Sequence, residues 1–334
     1  MENIQKLING ESFLKITREN ETYLPKETTK ISSMTISIHG TGLIEFIPDN
    51  HNDKSTILSC AIHGNETAPI EICDELITNI INGKQDLKCP TLFIFGNPKA
   101  MNIGKRFIDF NLNRLFTGNH KNIDDCYETE RAIELEAVVE EFFSKYNYSF
   151  KRHYDLHTAI KPSKHEKFAI YPYCPDREKS IEQMNTMEAL DANIILFSTS
   201  KATTFSYHTS SIYNSHSFTV ELGKVHPFGK NPQESFIRTR ESLSQLLSDQ
   251  LIVSHELHEN VVKYQVQLSL IKNSEKFAFH FPETTENFTL FKADELVYFD
   301  GEKDCTLGED LRIVFPNQNV VIGQRAALFV KQEN

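Results

Sequence analysis

The chain alternates between short apolar runs and longer stretches in which apolar residues recur every three or four positions. The run STILSCAI, Ser55–Ile62, is nearly continuous and predicts a strand buried on both faces. After it, Cys73, Leu76, Ile77, Ile80 and Ile81 recur at helical spacing; Pro69 suits the first turn of that helix, and Gly83 ends it. TLFIFGNP, Thr91–Pro98, predicts a second apolar strand. Asp125 and Glu128 predict the cap of a long acidic helix whose buried face is Leu135, Val138, Val139, Phe142 and Tyr146. RHYDLHT and KFAIYP then read as strands, REKSIEQMNTMEAL as helical, NIILFS and SFTVELG as strands, and NPQESFIRTRESLSQLLSDQLI as a closing helix. Strands alternating with helices predict an α/β domain with a largely parallel sheet.

Both ends depart from this rhythm. The first fifty residues offer short β-like runs such as MTISIHG and GLIEFIP. Near residue 255 the pattern becomes strictly alternating: Tyr264, Val266, Leu268 and Leu270 stand against Gln265, Gln267 and Ser269, a half-exposed strand. FTLFKADELVYFDGEK, with Asp300-Gly301 as its turn, and LRIVFPNQNVVIGQRAALFVKQ continue in the same character. The expected division is therefore an α/β domain over 1–254 and a small all-β domain over 255–334. No internal repeat or low-complexity segment interrupts it.

Composition narrows the function classes. The 334 residues are 39% hydrophobic and 24% charged, the balance of a globular protein with a substantial core. A formal charge of −11 argues against nucleic-acid or anionic-membrane partners, so an anionic substrate would need positive charge concentrated locally. The N-terminus lacks the basic and apolar regions of a signal peptide, and no run is long enough for a membrane span. The six cysteines (Cys60, Cys73, Cys89, Cys126, Cys174, Cys305) lie far apart without a C-x-x-C pair, as expected of reduced, buried thiols in a cytoplasmic protein.

Against that background the polar residues at strand ends acquire meaning. His63 and Glu66 follow the strand STILSCAI directly, where α/β folds bind ligands. An H-x-x-E pair is weak evidence alone. His157, ending the strand HYDLH at the equivalent edge, completes two histidines and a glutamate, the three-ligand set of hydrolytic zinc sites. Asp155, two residues earlier on the same face, reads either as a residue orienting a ligand or as an ordinary strand-end acid. Glu221, the one carboxylate of SFTVELG, reads either as an exposed strand terminus or as a general base and acid beside a metal. After TLFIFGNP come Arg106, Asn113 and Arg114: Arg114 offers a fork for a carboxylate with Asn113 as a neutral partner, and Arg106 suits a developing oxyanion. Lys161, Lys164 and Lys167 add positive charge nearby, each also consistent with a solvated loop. The chain has no G-x-S-x-G elbow, P-loop or G-x-G-x-x-G after a strand. Asn65 has no assigned role.

Four blocks, HGNETAPIE, GNPKAMNIGKRFIDFNLNRLF, YDLHTAIKPSKHEKFAIYP and FTVELGKVHPFG, together resemble the succinylglutamate desuccinylase and aspartoacylase family, a branch of the zinc carboxypeptidase-like fold. They span residues 63 to 229. The resemblance implies a three-layer α/β/α catalytic domain with a mixed, largely parallel sheet and a small all-β C-terminal domain. It implies one zinc ion per subunit on His63, Glu66 and His157, Glu221 as catalytic carboxylate, Arg106 at the scissile carbonyl, and Asn113 and Arg114 on a substrate carboxylate. Phe110 is unusual for the pattern before L-N-R, whereas Asn111 satisfies it. The activity implied is hydrolysis of the amide of N2-succinyl-L-glutamate to succinate and L-glutamate, the last step of arginine breakdown by the succinyltransferase route. A related N-acyl-amino-acid deacylase and a non-catalytic zinc-binding protein on the same fold are the alternatives, and the sequence leaves the oligomeric state open.

Overall fold

The computed structural model describes residues 2–333. Its helices are α1 (Glu2–Ile8), α2 (Phe13–Glu19), α3 (Thr67–Ile81), α4 (Pro98–Asn102), α5 (Tyr127–Lys145), α6 (Ile181–Ala189), α7 (Phe205–Tyr213) and α8 (Ile237–Leu247). Nine strands precede or interleave with them: β1 (Glu27–Ile31), β2 (Met34–Gly40), β3 (Leu43–Pro48), β4 (Lys54–Cys60), β5 (Thr91–Phe95), β6 (Phe150–Ala159), β7 (Lys167–Tyr171), β8 (Ile194–Phe197) and β9 (His216–Lys224). The C-terminal segment adds β10 (Val262–Ile271), β11 (Phe277–Phe279), β12 (Leu290–Phe291), β13 (Tyr298–Asp300), β14 (Lys303–Cys305), β15 (Leu311–Val314) and β16 (Arg325–Gln332).

Helices cover both faces of the central strands, which is why those strands read as unbroken apolar runs rather than as alternation. Along β4, Ile57 faces one cluster and Leu58 the other; along β5, Leu92 and Ile94 face the first, Phe93 and Phe95 the second. The first cluster is closed by α5 through Leu135, Val139 and Phe143, with Phe205 of α7. The second takes Ile70, Cys73 and Ile77 of α3, Met187 of α6 and Leu243 of α8. The layers are thus α/β/α, and the sheet is mixed. β5, β4, β6 and β9 run parallel at its centre, while β1, β2 and β3 form an antiparallel flank.

The C-terminal strands do not form an isolated unit. β10 pairs in parallel with β8, so one 13-stranded sheet runs from the α/β layers into the antiparallel β10-β16-β15-β12 region. A separate three-stranded sheet, β11-β13-β14, completes that end. Residues 249–261, between α8 and the strands that follow, carry no helix or strand.

Several sequence expectations need correction. The N-terminal segment contains two helices as well as strands; each has only seven residues, too few for periodicity to register. They are fixed from outside, by the Glu27 carboxylate accepting from the backbone N–H groups of Asn3 and Ile4 and by Asp74 accepting from Leu14. The strand after Thr91 stops at Phe95, and Asn97 caps α4 by accepting from the Ala100 N–H. The cap of α5 is Cys126, not Asp125: the Thr129 hydroxyl accepts from its N–H at 2.8 Å, and Glu128 serves elsewhere. The β13–β14 turn is Gly301-Glu302, one residue later than expected, with Gly301 at φ +78°. Three of the cysteines, Cys126, Cys174 and Cys305, are partly exposed rather than buried.

Candidate active site

The parallel strands deliver their carboxyl ends to one edge of the sheet, and the functional side chains collect there. Beyond β4, Ala61 adopts the left-handed conformation at φ +56°, turning the chain toward His63. Gly64 then packs so closely on α4 that an added Cβ would lie 2.2 Å from the Ala100 carbonyl carbon. Glu66 occupies the N-cap position of α3, where the helix dipole favours a carboxylate. His157 of β6 lies directly opposite Glu221 of β9 in the parallel register, so the two share a face.

The donor atoms of His63, Glu66 and His157 lie within 4.8 Å of one another, and all three residues are buried. Glu66 Oε1 is 2.8 Å from His63 Nδ1 and Oε2 is 2.8 Å from His157 Nδ1. The far nitrogens are held from behind. His63 Nε2 donates to Asn111 Oδ1 at 3.0 Å, an oxygen whose identity is fixed because it also accepts the Asn113 N–H. His157 Nε2 donates to Asp155 Oδ2 at 2.9 Å, and Asp155 Oδ1 accepts from Ser59 Oγ at 2.6 Å. Ser59 is itself 2.7 Å from the buried His153.

This arrangement suits a cation. Burial, with help from Arg106, pushes His63 down to about 4, so at neutral pH the ring is neutral. Both its nitrogens face oxygens that only accept, Glu66 Oε1 and Asn111 Oδ1, so one proton cannot serve both, and a cation at Nδ1 would complete the set. Burial alone would raise Glu66, yet the two imidazoles hold it well below the usual carboxylate range, so it is ionised. Burial would lower His157, but the Asp155 and Glu66 carboxylates outweigh it and raise its pKa well above the histidine value. Two imidazoles plus a carboxylate are the donors a zinc ion takes. A second acidic group, Asp109, Cys126 and Glu128, does not suit a metal, because both Glu128 oxygens are already saturated by N–H donors.

Glu221 stands beside this set with its Oε2 buried and without a hydrogen-bond partner among the described residues. Burial pushes its pKa up to about 7, with Glu66 and Asp155 adding to the rise and His157 and Arg106 opposing it. The cleft in front, about 630 Å³, is lined by seven of the residues singled out from sequence: His63, Glu66, His157, Glu221, Arg106, Asn113 and Arg114. Arg106 donates to Glu66 Oε1 at 2.8 Å. Asn113 accepts the Phe205 N–H through Oδ1 at 2.9 Å, which fixes α7, and its amide N–H groups have no partner among the described residues. Of the three lysines only Lys161 reaches the cleft; Lys167 pairs instead with Asp191.

Sequence reasoning missed three contributors. Asn111 orients His63, although its only signal was a place in the L-N-R block. Glu128, 0% exposed, accepts the backbone N–H groups of Ile108, Asp109 and Phe110 and thereby shapes the segment between Arg106 and Arg114. Arg325 enters the cleft from β16, and no local pattern marked it.

A buried His-Glu-His donor set and a partnerless carboxylate at the carboxyl ends of parallel strands are the groups a metal-assisted hydrolase requires. The family described as succinylglutamate desuccinylase/aspartoacylase catalytic domain matches residues 52–247, and the AstE/AspA barrel-sandwich hybrid domain matches residues 259–333. A succinylglutamate desuccinylase of Shewanella denitrificans is 44% identical, covering 88% of this chain and 87% of its own. The solved structure of the Vibrio parahaemolyticus succinylglutamate desuccinylase superposes with a TM-score of 0.87 at 33% identity, covering 97% of this chain and 95% of that one. That of Chromobacterium violaceum gives 0.83 at 35% identity, covering 97% and 98%. The chain belongs to the succinylglutamate desuccinylase/aspartoacylase family.

Proposed function

We propose that this protein is a zinc-dependent amidohydrolase that cleaves N2-succinyl-L-glutamate to succinate and L-glutamate. It would act in the cytoplasm at the end of the succinyltransferase route of arginine breakdown. The observation that carries the reading is the partnerless, buried Glu221 carboxylate set opposite His157, beside the donor set and facing an arginine-lined cleft. The relatives named succinylglutamate desuccinylase support it.

His63, Glu66 and His157 would hold the ion; once bound, it polarises the amide carbonyl and lowers the pKa of water toward ~7. Glu221, raised to about 7, is matched to accepting the proton of the attacking water and returning it to the leaving nitrogen. Arg106 stabilises the oxyanion that forms at the carbonyl. Arg114 and the amide N–H groups of Asn113 receive a substrate carboxylate. Arg114 is pushed down to about 9, by burial first and then by Arg325 and Arg106, and is still cationic at neutral pH. A substrate with three carboxylates suits such a pocket inside a protein of charge −11.

The test is glutamate release from N-succinylglutamate by the purified protein, with metal analysis before and after a chelator. Turnover that disappears with the metal and returns with zinc is expected. Strong preference for N-acetylaspartate, or turnover indifferent to the chelator, would overturn the reading.

A further inference from the structure

Three guanidinium groups open into the cleft, from Arg106, Arg114 and Arg325. Arg106 is engaged with Glu66, and Arg114 donates one N–H to the Asn113 carbonyl at 2.8 Å. Arg325 makes no side-chain hydrogen bond or ion pair among the described residues. It is nevertheless held in place. The Gln324 carbonyl before it accepts from the Lys272 N–H at 3.0 Å, and the Ala326 carbonyl after it accepts from the Asn317 N–H at 2.8 Å. Glu283 of the same segment also lines the cleft, but its Oε1 accepts the side-chain amides of Gln318 and Asn319.

A half-buried guanidinium without a protein counter-charge is a ready site for an anion. Resting on the functional reading above, we propose that Arg325 is a specificity-determining residue that binds a substrate carboxylate remote from the scissile amide. The C-terminal strands would then supply a recognition group, carried on β16, to a site whose hydrolytic groups all come from the α/β layers. Mutual repulsion between Arg114 and Arg325 is part of what lowers Arg114, and a carboxylate between them relieves it. Such a carboxylate comes either from the acyl chain or from the glutamate side chain.

The experiment measures kcat and KM of the zinc-loaded wild type, R325Q and R325K on three amides. These are N-succinylglutamate, N-butyrylglutamate, in which a methyl replaces the acyl carboxylate, and N-succinylnorvaline, in which a methyl replaces the γ-carboxylate. R325Q should lower kcat/KM for N-succinylglutamate by about 10- to 100-fold, mostly through KM, as loss of a charge-assisted contact present before and during reaction predicts. R325K should fall between the two. The variant's deficit should vanish on one analogue, which identifies the carboxylate held. Undiminished kcat/KM on N-succinylglutamate, or equal losses on all three amides, would overturn the proposal while leaving the functional reading intact. Should the wild type leave N-succinylglutamate uncleaved, that reading fails, and calorimetric binding of succinate and of L-glutamate decides the role of Arg325. Weaker binding of either to R325Q supports it, and equal binding of both refutes it. Thermal unfolding of R325Q should match or slightly exceed wild type, because the side chain has no hydrogen-bond or ion-pair partner among the described residues to lose and its repulsion with Arg114 is removed.

Discussion

Glu128 is the residue on which the cleft wall depends, and Glu128→Gln tests that dependence. Its Oε1 accepts from Asn97 Nδ2 at 2.9 Å and from the Ile108 N–H at 2.7 Å; its Oε2 accepts from the N–H groups of Asp109 and Phe110 at 3.1 and 3.2 Å. The glutamine has the same shape but one acceptor oxygen, so its NH2 must face a pair of donors. Two N–H groups lose their acceptor, at about 1–3 kcal/mol each if fully shielded from water and less where they are only part-buried, so at most about 2–6 kcal/mol together. Against a typical stability of about 5–15 kcal/mol the variant still folds. The cheapest relief is for residues 108–110 to lift away, which displaces Arg106 on one side and Asn111, Asn113 and Arg114 on the other. Displacement of about 1 Å costs on the order of 100-fold in rate. Urea unfolding and steady-state kinetics on N-succinylglutamate together read both effects. A stability loss under about 0.5 kcal/mol with unchanged kcat/KM would refute the clamp, and lost stability with unchanged kcat/KM would refute its role in shaping the site.

Other perturbations probe other links. Gly64→Ala places a methyl 2.2 Å from Ala100, so the His63–Glu66 loop and α4 must separate; activity should fall by about 100-fold or more and stability by about 1–3 kcal/mol, and normal kinetics would show that the loop has slack. Glu221→Gln should lower kcat by roughly 100- to 10,000-fold with metal content unchanged, and near-normal turnover would remove Glu221 from the proton shuttle. His153 is held down to about 4 by burial, against 6.5 in the unfolded chain. The unfolded state therefore binds more protons between those values, and stability is level above about pH 6.5 and falls as pH drops toward 4, by on the order of 3 kcal/mol from this group. His153→Gln should flatten that part of the pH profile in urea unfolding, and an unaltered profile would exclude His153 as its source.

The α/β layers were legible because burial on two faces leaves a mark that needs no knowledge of partners. STILSCAI and TLFIF are nearly continuous apolar runs since helices cover both sides, and the Cys73-to-Ile81 spacing records the one face α3 buries. α1, α2 and α7 left no such mark. They are short, and distant acceptors or caps such as Glu27, Asp74 and Asn113 hold them. Glu128 misled for a related reason: an acid in the first turn of a helix reads as a cap, whereas its carboxylate answers to backbone twenty residues upstream.

The sequence by itself determined which chemistry was on offer: two histidines, two glutamates and a set of arginines placed at the ends of apolar runs. Strand direction is a local property, so residues at the exits of parallel strands must converge on one edge of the sheet. The tertiary structure alone decided what each group does there. Register sets His157 against Glu221, packing leaves one Glu221 oxygen without a partner, and the continuation of the sheet through β8 and β10 carries Arg325 into the same cleft. Ionisation and hydrogen-bond satisfaction depend on every neighbour within a few ångströms, and most of those neighbours lie far away along the chain.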